Sequence, residues 1–165
     1  MIARVTKLCS AACLAALLSL SASAVTRAAD AESAASAGVV TLRSAYPLDE
    51  TVARLKADIA KKGIVFFAAI DQSQLAAGAH IDLRPSTLLV FGNPALGSLF
   101  ITANPVAGLD WPVRLLVFED ATGTVWTAYS DFAWIARRHH IENRGDAFNT
   151  AAGVIASITA SVAAK

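Results

Sequence analysis

Cysteine occurs only at positions 9 and 13, and methionine only at position 1. From residue 14 onward there is no thiol. That excludes a structural disulfide, a thiolate nucleophile and a thiolate metal ligand from the bulk of the chain. Charge is also scarce: 16% of the 165 residues are charged, with 13 acidic against 14 basic side chains. No basic surplus exists to hold a nucleic acid. The 55% hydrophobic content excludes disorder and suffices for one buried core. Only three histidines are present, His80, His139 and His140, and none stands in HExxH spacing. Ser73, Ser86 and Ser98 all lack a Gly-x-Ser-x-Gly frame.

The one long apolar run, Leu8 to Leu20, follows Arg4 and Lys7 and is closed by Ala22-Ser23-Ala24. This order of basic start, apolar stretch and small-x-small site reads as a secretory signal peptide over residues 1–24. The run is short for a membrane span, so an uncleaved anchor is the lesser alternative. Without Arg4 and Lys7, 12 basic residues face 13 acidic ones and the formal charge is −1. Both cysteines leave with the leader. The expectation is a periplasmic or secreted protein, stable through its core alone. Residues 25–37, rich in Ala, Ser and charge, read as a flexible linker.

From Gly38 the pattern predicts a single α+β domain to residue 165. Gly38–Tyr46 alternates as a strand. Pro47 opens a helix with acids Asp49 and Glu50 first and Lys61 and Lys62 last, as the helix dipole favours. Leu48, Val52, Leu55 and Ile59 form its apolar stripe, and Gly63 ends it. Ile64–Ile70 is a strand, Ser73–Ala79 a short helix, Thr87–Phe91 a strand and Ala95–Ala103 a helix stopped by Asn104-Pro105. Val113–Glu119 and Thr124–Tyr129 make a hairpin around Asp120–Gly123. Phe132–His139 is a short helix. Asp146–Ala164 is the last, with Phe148, Ala151, Ile155, Ile158 and Val162 at helical spacing. Its polar Asn149, Thr150, Ser157, Thr159 and Ser161 make it a poor membrane anchor. No internal repeat is expected. Strands and helices mix without a strict βαβ rhythm. That predicts a mainly antiparallel sheet with helices packed mostly on one face, a two-layer sandwich.

Several segments occur in a telling order: Thr51-Val-Ala-Arg-Leu-Lys56, the Gly63 turn, Ala69-Ile-Asp71, Leu83-Arg-Pro85, Leu89-Val-Phe-Gly-Asn-Pro94, Gly97-Ser98, Leu109-Asp-Trp-Pro-Val-Arg114, Gly123-Thr-Val-Trp126 and Tyr129. Residues 38–141 thereby resemble the domain-of-unknown-function family numbered 302. The resemblance implies a compact α+β fold and members that pair as homodimers. It implies no activity. Two departures stand out. Gln72 occupies the place where such members carry His, which removes the motif's most titratable group. Trp111 replaces the leucine of a usual Leu-Asp-Leu-Pro.

The candidate chemistry centres on two loops. Gly92-Asn93-Pro94 at a strand end offers backbone N–H groups and an amide for an anion or oxyanion. The plainer reading is turn chemistry: a positive-φ glycine, an asparagine bonding the backbone and a proline starting the helix. Asp71 and Asp110 could act as a paired base or cation site. Otherwise each caps a turn or pairs with arginine, for which Arg84 and Arg114 are available. His80 with Asp82 lacks a placed nucleophile, and adjacent His139 and His140 form no ready chelate. Trp111, Trp126, Trp134, Phe91 and Tyr129 can line a pocket or fill the core, with Trp111 expected to be partly exposed. Arg137-Arg138 reads as a solvated face.

The leading expectation is an exported binding or interaction module with a small ligand held by Gly92, Asn93, Pro94, Asp110, Trp111 and Arg114. It needs no cofactor, metal or nucleic acid, and no stable membrane insertion after leader cleavage. One alternative is a cofactor-free hydrolase or isomerase using Asp71 or Asp110 as base and the Gly92-Asn93 turn as electrophile. Another is a structural or stress-related envelope protein without ligand. The enzyme requires two ionisable groups and Asn93 converging in one cleft. The binding module requires an apolar cleft with few titratable groups.

Overall fold

The computed structural model describes residues 38–164, so the expected signal peptide (1–24) and linker (25–37) lie outside the described residues. In chain order the elements are β1 (Val39–Arg43), α1 (Leu48–Lys61), β2 (Val65–Asp71), α2 (Gln72–Gly78), β3 (Ser86–Gly92) and α3 (Pro94–Ala103). A 3-10 segment (Pro105–Leu109), β4 (Val113–Glu119), β5 (Val125–Ser130), α4 (Phe132–Arg138) and α5 (Gly145–Ala160) complete them. The strands form one sheet in the order β1-β5-β4-β3-β2, every neighbour antiparallel. This is the α+β architecture that the mixed pattern predicts.

One face of the sheet carries the core. Register places Leu89 of β3 opposite Leu115 of β4, and Val117 of β4 opposite Thr127 of β5. All four are fully buried. Leu55 and Ile59 of α1 and Ile155 and Ile158 of α5 join the same cluster, with Phe100, Phe132 and Phe148 at one end. Burying each such side chain contributes roughly 1.5–3 kcal/mol before chain entropy is set against it. Thr51 sits on the buried side of α1 although the apolar pattern omits it. Its hydroxyl lies 2.6 Å from Ser44 Oγ and donates to the Tyr46 carbonyl, so its polar atom is satisfied. Gly63 adopts φ +66 where α1 gives way to β2, a conformation that favours glycine. The last helix stops at Ala160 rather than the expected Ala164. The chain beyond it instead satisfies backbone groups at the end of β1: the Ala45 amide donates to Val162 O, and the Ala164 amide to Arg43 O.

The second face is apolar as well. Alternation puts Leu88, Val90, Leu116, Phe118, Trp126 and Ala128 there, all partly exposed and none in the core cluster. This is why Leu88–Phe91 and Leu115–Phe118 are unbroken apolar runs, a pattern that goes with a sheet covered on both sides.

The expectation of no repeat is corrected by the structure. Residues 65–81 and 125–141, sixty positions apart, each run strand, Asp, short helix, His, Ile. They are identical at Val65/Val125, Ala68/Ala128, Asp71/Asp131, Ala76/Ala136, His80/His140 and Ile81/Ile141. Asp71 and Asp131 cap their helices through the Gln74 and Trp134 amides, at 2.8 and 2.6 Å. His80 and His140 take φ of 59 and 51, and the next amide reaches back to Ala76 O or Ala136 O, which closes the helix. The copies differ in their surroundings. In the second, Ile135 and Ile141 are buried against the core, whereas Leu75 and Ile81 in the first are 66% and 61% exposed. Divergent packing of the helix faces hides the repeat from a hydrophobicity pattern.

Candidate functional site

The end of β3 at Gly92 and Asn93, α3, Trp111 and α5 line a cavity of about 540 Å³ beside the core. Its walls are apolar: Ile64, Phe91, Phe100, Trp111, Val113, Phe132, Val154 and Ile155. Polar groups stand among them at Lys62, Asn93, Asn149, Thr150 and Ser157. Among the described residues, Lys62 is the only ionisable side chain in the lining. The volume falls in the range of sites for drug-sized ligands.

Two glycines set the position of one wall. A Cβ on Gly97 would overlap the Trp111 indole, and one on Gly92 would stand 3.1 Å from Trp111 Nε1. The Trp111 indole thus packs against Gly97 of α3 and Gly92 at the end of β3, and it meets the Phe67 ring in a T-shaped contact with centroids 6.2 Å apart. The expected positive φ at Gly92 is not found; the positive-φ glycines are Gly38, Gly63 and Gly123. Close approach by the indole, not backbone conformation, favours glycine there, and at Gly97 it requires it. Asn93 follows the turn-chemistry reading: its Oδ1 accepts from the Leu96 amide at 3.2 Å, and Pro94 occupies the first turn of α3. A third glycine, Gly153, lines the cavity from the middle of α5, and a Cβ there would meet no atom within 4 Å. Glycine in a helix interior costs about 1 kcal/mol relative to alanine, and no neighbour demands it here. Its effect is to leave the space open.

Asp110, next to Trp111, faces the other way. Its carboxylate is buried and accepts from His139 Nε2 at 2.7 Å, Arg138 Nη1 at 3.1 Å and Arg114 Nη2 at 3.2 Å. Arg114 also donates to Leu109 O, and Asn104 Nδ2 to His139 O. The 3-10 segment is therefore clipped at both ends to the C-terminal end of α4. Of the residues expected at a ligand site, Gly92, Asn93 and Trp111 line the cavity, whereas Pro94, Asp110 and Arg114 do not. Arg138 and His139 are the partners that the sequence reading did not join to Asp110. The arginine pairing expected for an Asp in this position was the available signal.

Asp71 and Asp110 do not pair with each other. Asp71 is an exposed helix cap, and the Ser73 hydroxyl and the Gln74 amide hold its carboxyl below the ordinary value. Arg84 lies 3.5 Å from Glu119 rather than beside either aspartate. Gln72, in the place of the family His, accepts from Ser86 Oγ at 2.8 Å. Asp120 is held ionised by the Thr122 hydroxyl and the Trp126 indole N–H, which closes the β4–β5 turn. The hydrogen-bonded carboxylates at Asp71, Asp110 and Asp120 thus each hold a turn or loop. Among the described residues, no three His, Cys, Asp or Glu side chains group to hold a metal ion.

An antiparallel five-stranded sheet with one core and its helices around it defines a single-domain α+β protein. The chain belongs to the family described as domain of unknown function DUF302, whose model matches residues 40–162. The match runs past the expected limit at residue 141 and takes in α5. The crystal structure of an uncharacterized conserved DUF302 protein from Bacillus stearothermophilus shares the fold. Its TM-score is 0.69 at 15% identity, covering 76% of this chain and 98% of that one. The fluoride-specific ion channels FluC 1 of Brucella suis and of Brucella abortus are each 36% identical over 104 residues, 63% of this chain. Those residues are 41% and 38% of the two relatives, so the chain spans about two fifths of the curated relatives it matches. No helix among the described residues is long and apolar enough to cross a membrane.

Proposed function

We propose that this protein is an exported binding module that holds a small apolar molecule between β3, α3 and α5. The observation that carries the reading is the 540 Å³ apolar cavity, walled by Trp111 and left open by Gly153. A hydrolase or isomerase would need two ionisable groups converging with Asn93, and the lining supplies one among the described residues. The test is Gly153→Leu. The side chain would enter empty space and improve helix propensity by roughly 0.7 kcal/mol. Thermal stability is therefore expected to hold or rise while binding of a hydrophobic fluorescent probe is lost. Unchanged probe binding by a folded Gly153→Leu protein refutes the cavity as the site.

Export and pairing are part of the proposal. Cleavage after Ala24 would release the domain to the periplasm or beyond, and intact-mass measurement of exported material tests it. The partly exposed apolar face at Leu88, Leu116 and Phe118 is the surface for a second copy. Light scattering is expected to give a dimer that Leu116→Lys reduces to a monomer; a monomeric wild type at micromolar concentration rules this out.

A second reading rests on the Brucella relatives: the domain serves as an accessory module to a membrane transport protein. Removing the matched 104 residues from such a relative and measuring fluoride efflux tests it. Altered efflux with retained selectivity supports an accessory role, and lost selectivity opposes it.

A further inference from the structure

Resting on the ligand-binding reading, we infer that the ligand is a monocarboxylic acid with an apolar body, its carboxylate at Lys62 and its tail against Trp111 and Phe100. Among the described residues, the cavity lining contains no carboxylate, and its single charge is the Lys62 ammonium. Asp58 Oδ2 takes one of that group's three N–H donors at 2.6 Å, leaving two. Trp111 Nε1–H has no hydrogen-bond partner among the described residues, and the Asn93 amide spends only its oxygen on capping. The positive end of α3, ten residues long, adjoins the same wall through Asn93. Asn149, Thr150 and Ser157 can donate or accept, so the one fixed charge facing this space among the described residues is positive, and it calls for an acceptor that carries negative charge. The remaining wall is aliphatic and aromatic, which suits an unbranched or aryl body rather than a sugar or nucleotide.

The experiment titrates the purified protein by calorimetry with saturated acids of increasing length, below their micelle concentrations, beside primary alcohols of equal length. Affinity is expected to rise roughly fourfold per methylene and level off once the cavity is filled. Each acid is expected to bind at least tenfold tighter than its alcohol. Lys62→Met should remove that advantage, so that acid and alcohol of equal length bind alike. Acid and alcohol binding equally, or an acid preference that survives Lys62→Met, overturns this inference while the cavity reading stands. If neither series binds, the cavity reading itself fails, and with it this one.

Discussion

Replacing Gly97 by alanine isolates the contact that places Trp111. A β-carbon there falls within the indole ring, and contacting carbon atoms need about 3.5–4.0 Å, so the ring must move by roughly 1.5 Å. Overpacking of this kind costs about 1–3 kcal/mol. The overlap is with a ring, not the end of a flexible side chain, so the upper end applies. Alanine also gains about 1 kcal/mol of helix propensity over glycine within α3. The net expectation is a loss of about 2 kcal/mol, or about 8 °C in melting temperature for a domain of this size. In a Trp111→Ala background the obstruction is gone, and the same Gly97→Ala change should stabilise by about 1 kcal/mol. Urea denaturation followed by circular dichroism reads all four corners of the cycle, with an expected coupling near 3 kcal/mol. A Gly97→Ala effect of the same sign and size in both backgrounds would refute the packing argument.

Asp110→Asn removes the charge that His139, Arg138 and Arg114 share. The arginines are half-exposed and contribute little, while the buried His139 bond is worth about 1.5–3 kcal/mol. The expected loss is about 2–3 kcal/mol by chemical denaturation, against under about 1 kcal/mol for Arg114→Ala. The folded Asp71 carboxyl titrates below its ordinary value of 3.8, so its capping contribution is full above about pH 4 and declines as acid protonates it. Protection factors of α2 amides, corrected for intrinsic exchange at each pH, should therefore fall below pH 4 in the wild type, and Asp71→Ser should show no such acid step. Thr51→Val leaves Ser44 Oγ without its 2.6 Å partner in a buried site and should cost about 1–2 kcal/mol by thermal melting.

The order and type of the elements could be read in advance because the local signals agree with the fold. Asp49 and Lys61 bracket α1, Pro94 opens α3, and the apolar spacing of α5 runs through Phe148, Ala151, Ile155 and Ile158, all buried. The 3-10 segment escaped notice because it spans five residues, too few for any periodicity. The site was half legible. Gly92, Asn93 and Trp111 stand out as a strand-end turn and an aromatic beside a proline. Gly153, Asn149 and Lys62 reach the same cavity from other elements, and nothing local marks them. Asp110 shows the limit most plainly: its partners Arg138 and His139 lie nearly thirty residues away, brought in by the docking of α4.

Adjacent residues with opposed directions connect the buried ion cluster to the cavity. Asp110 ties the loop to the end of α4, and Trp111 presses the same loop onto Gly92 and Gly97. Neither contact alone fixes the indole: the carboxylate sets where the loop meets the end of α4, and the glycines set how closely the ring approaches α3. A change at Asp110 should therefore weaken binding in the cavity although it lines no part of it, and His139→Gln should do so in the same direction. If Asp110→Asn lowers stability while probe affinity stays at its wild-type value, the two halves of the loop act independently and the cluster serves the fold alone.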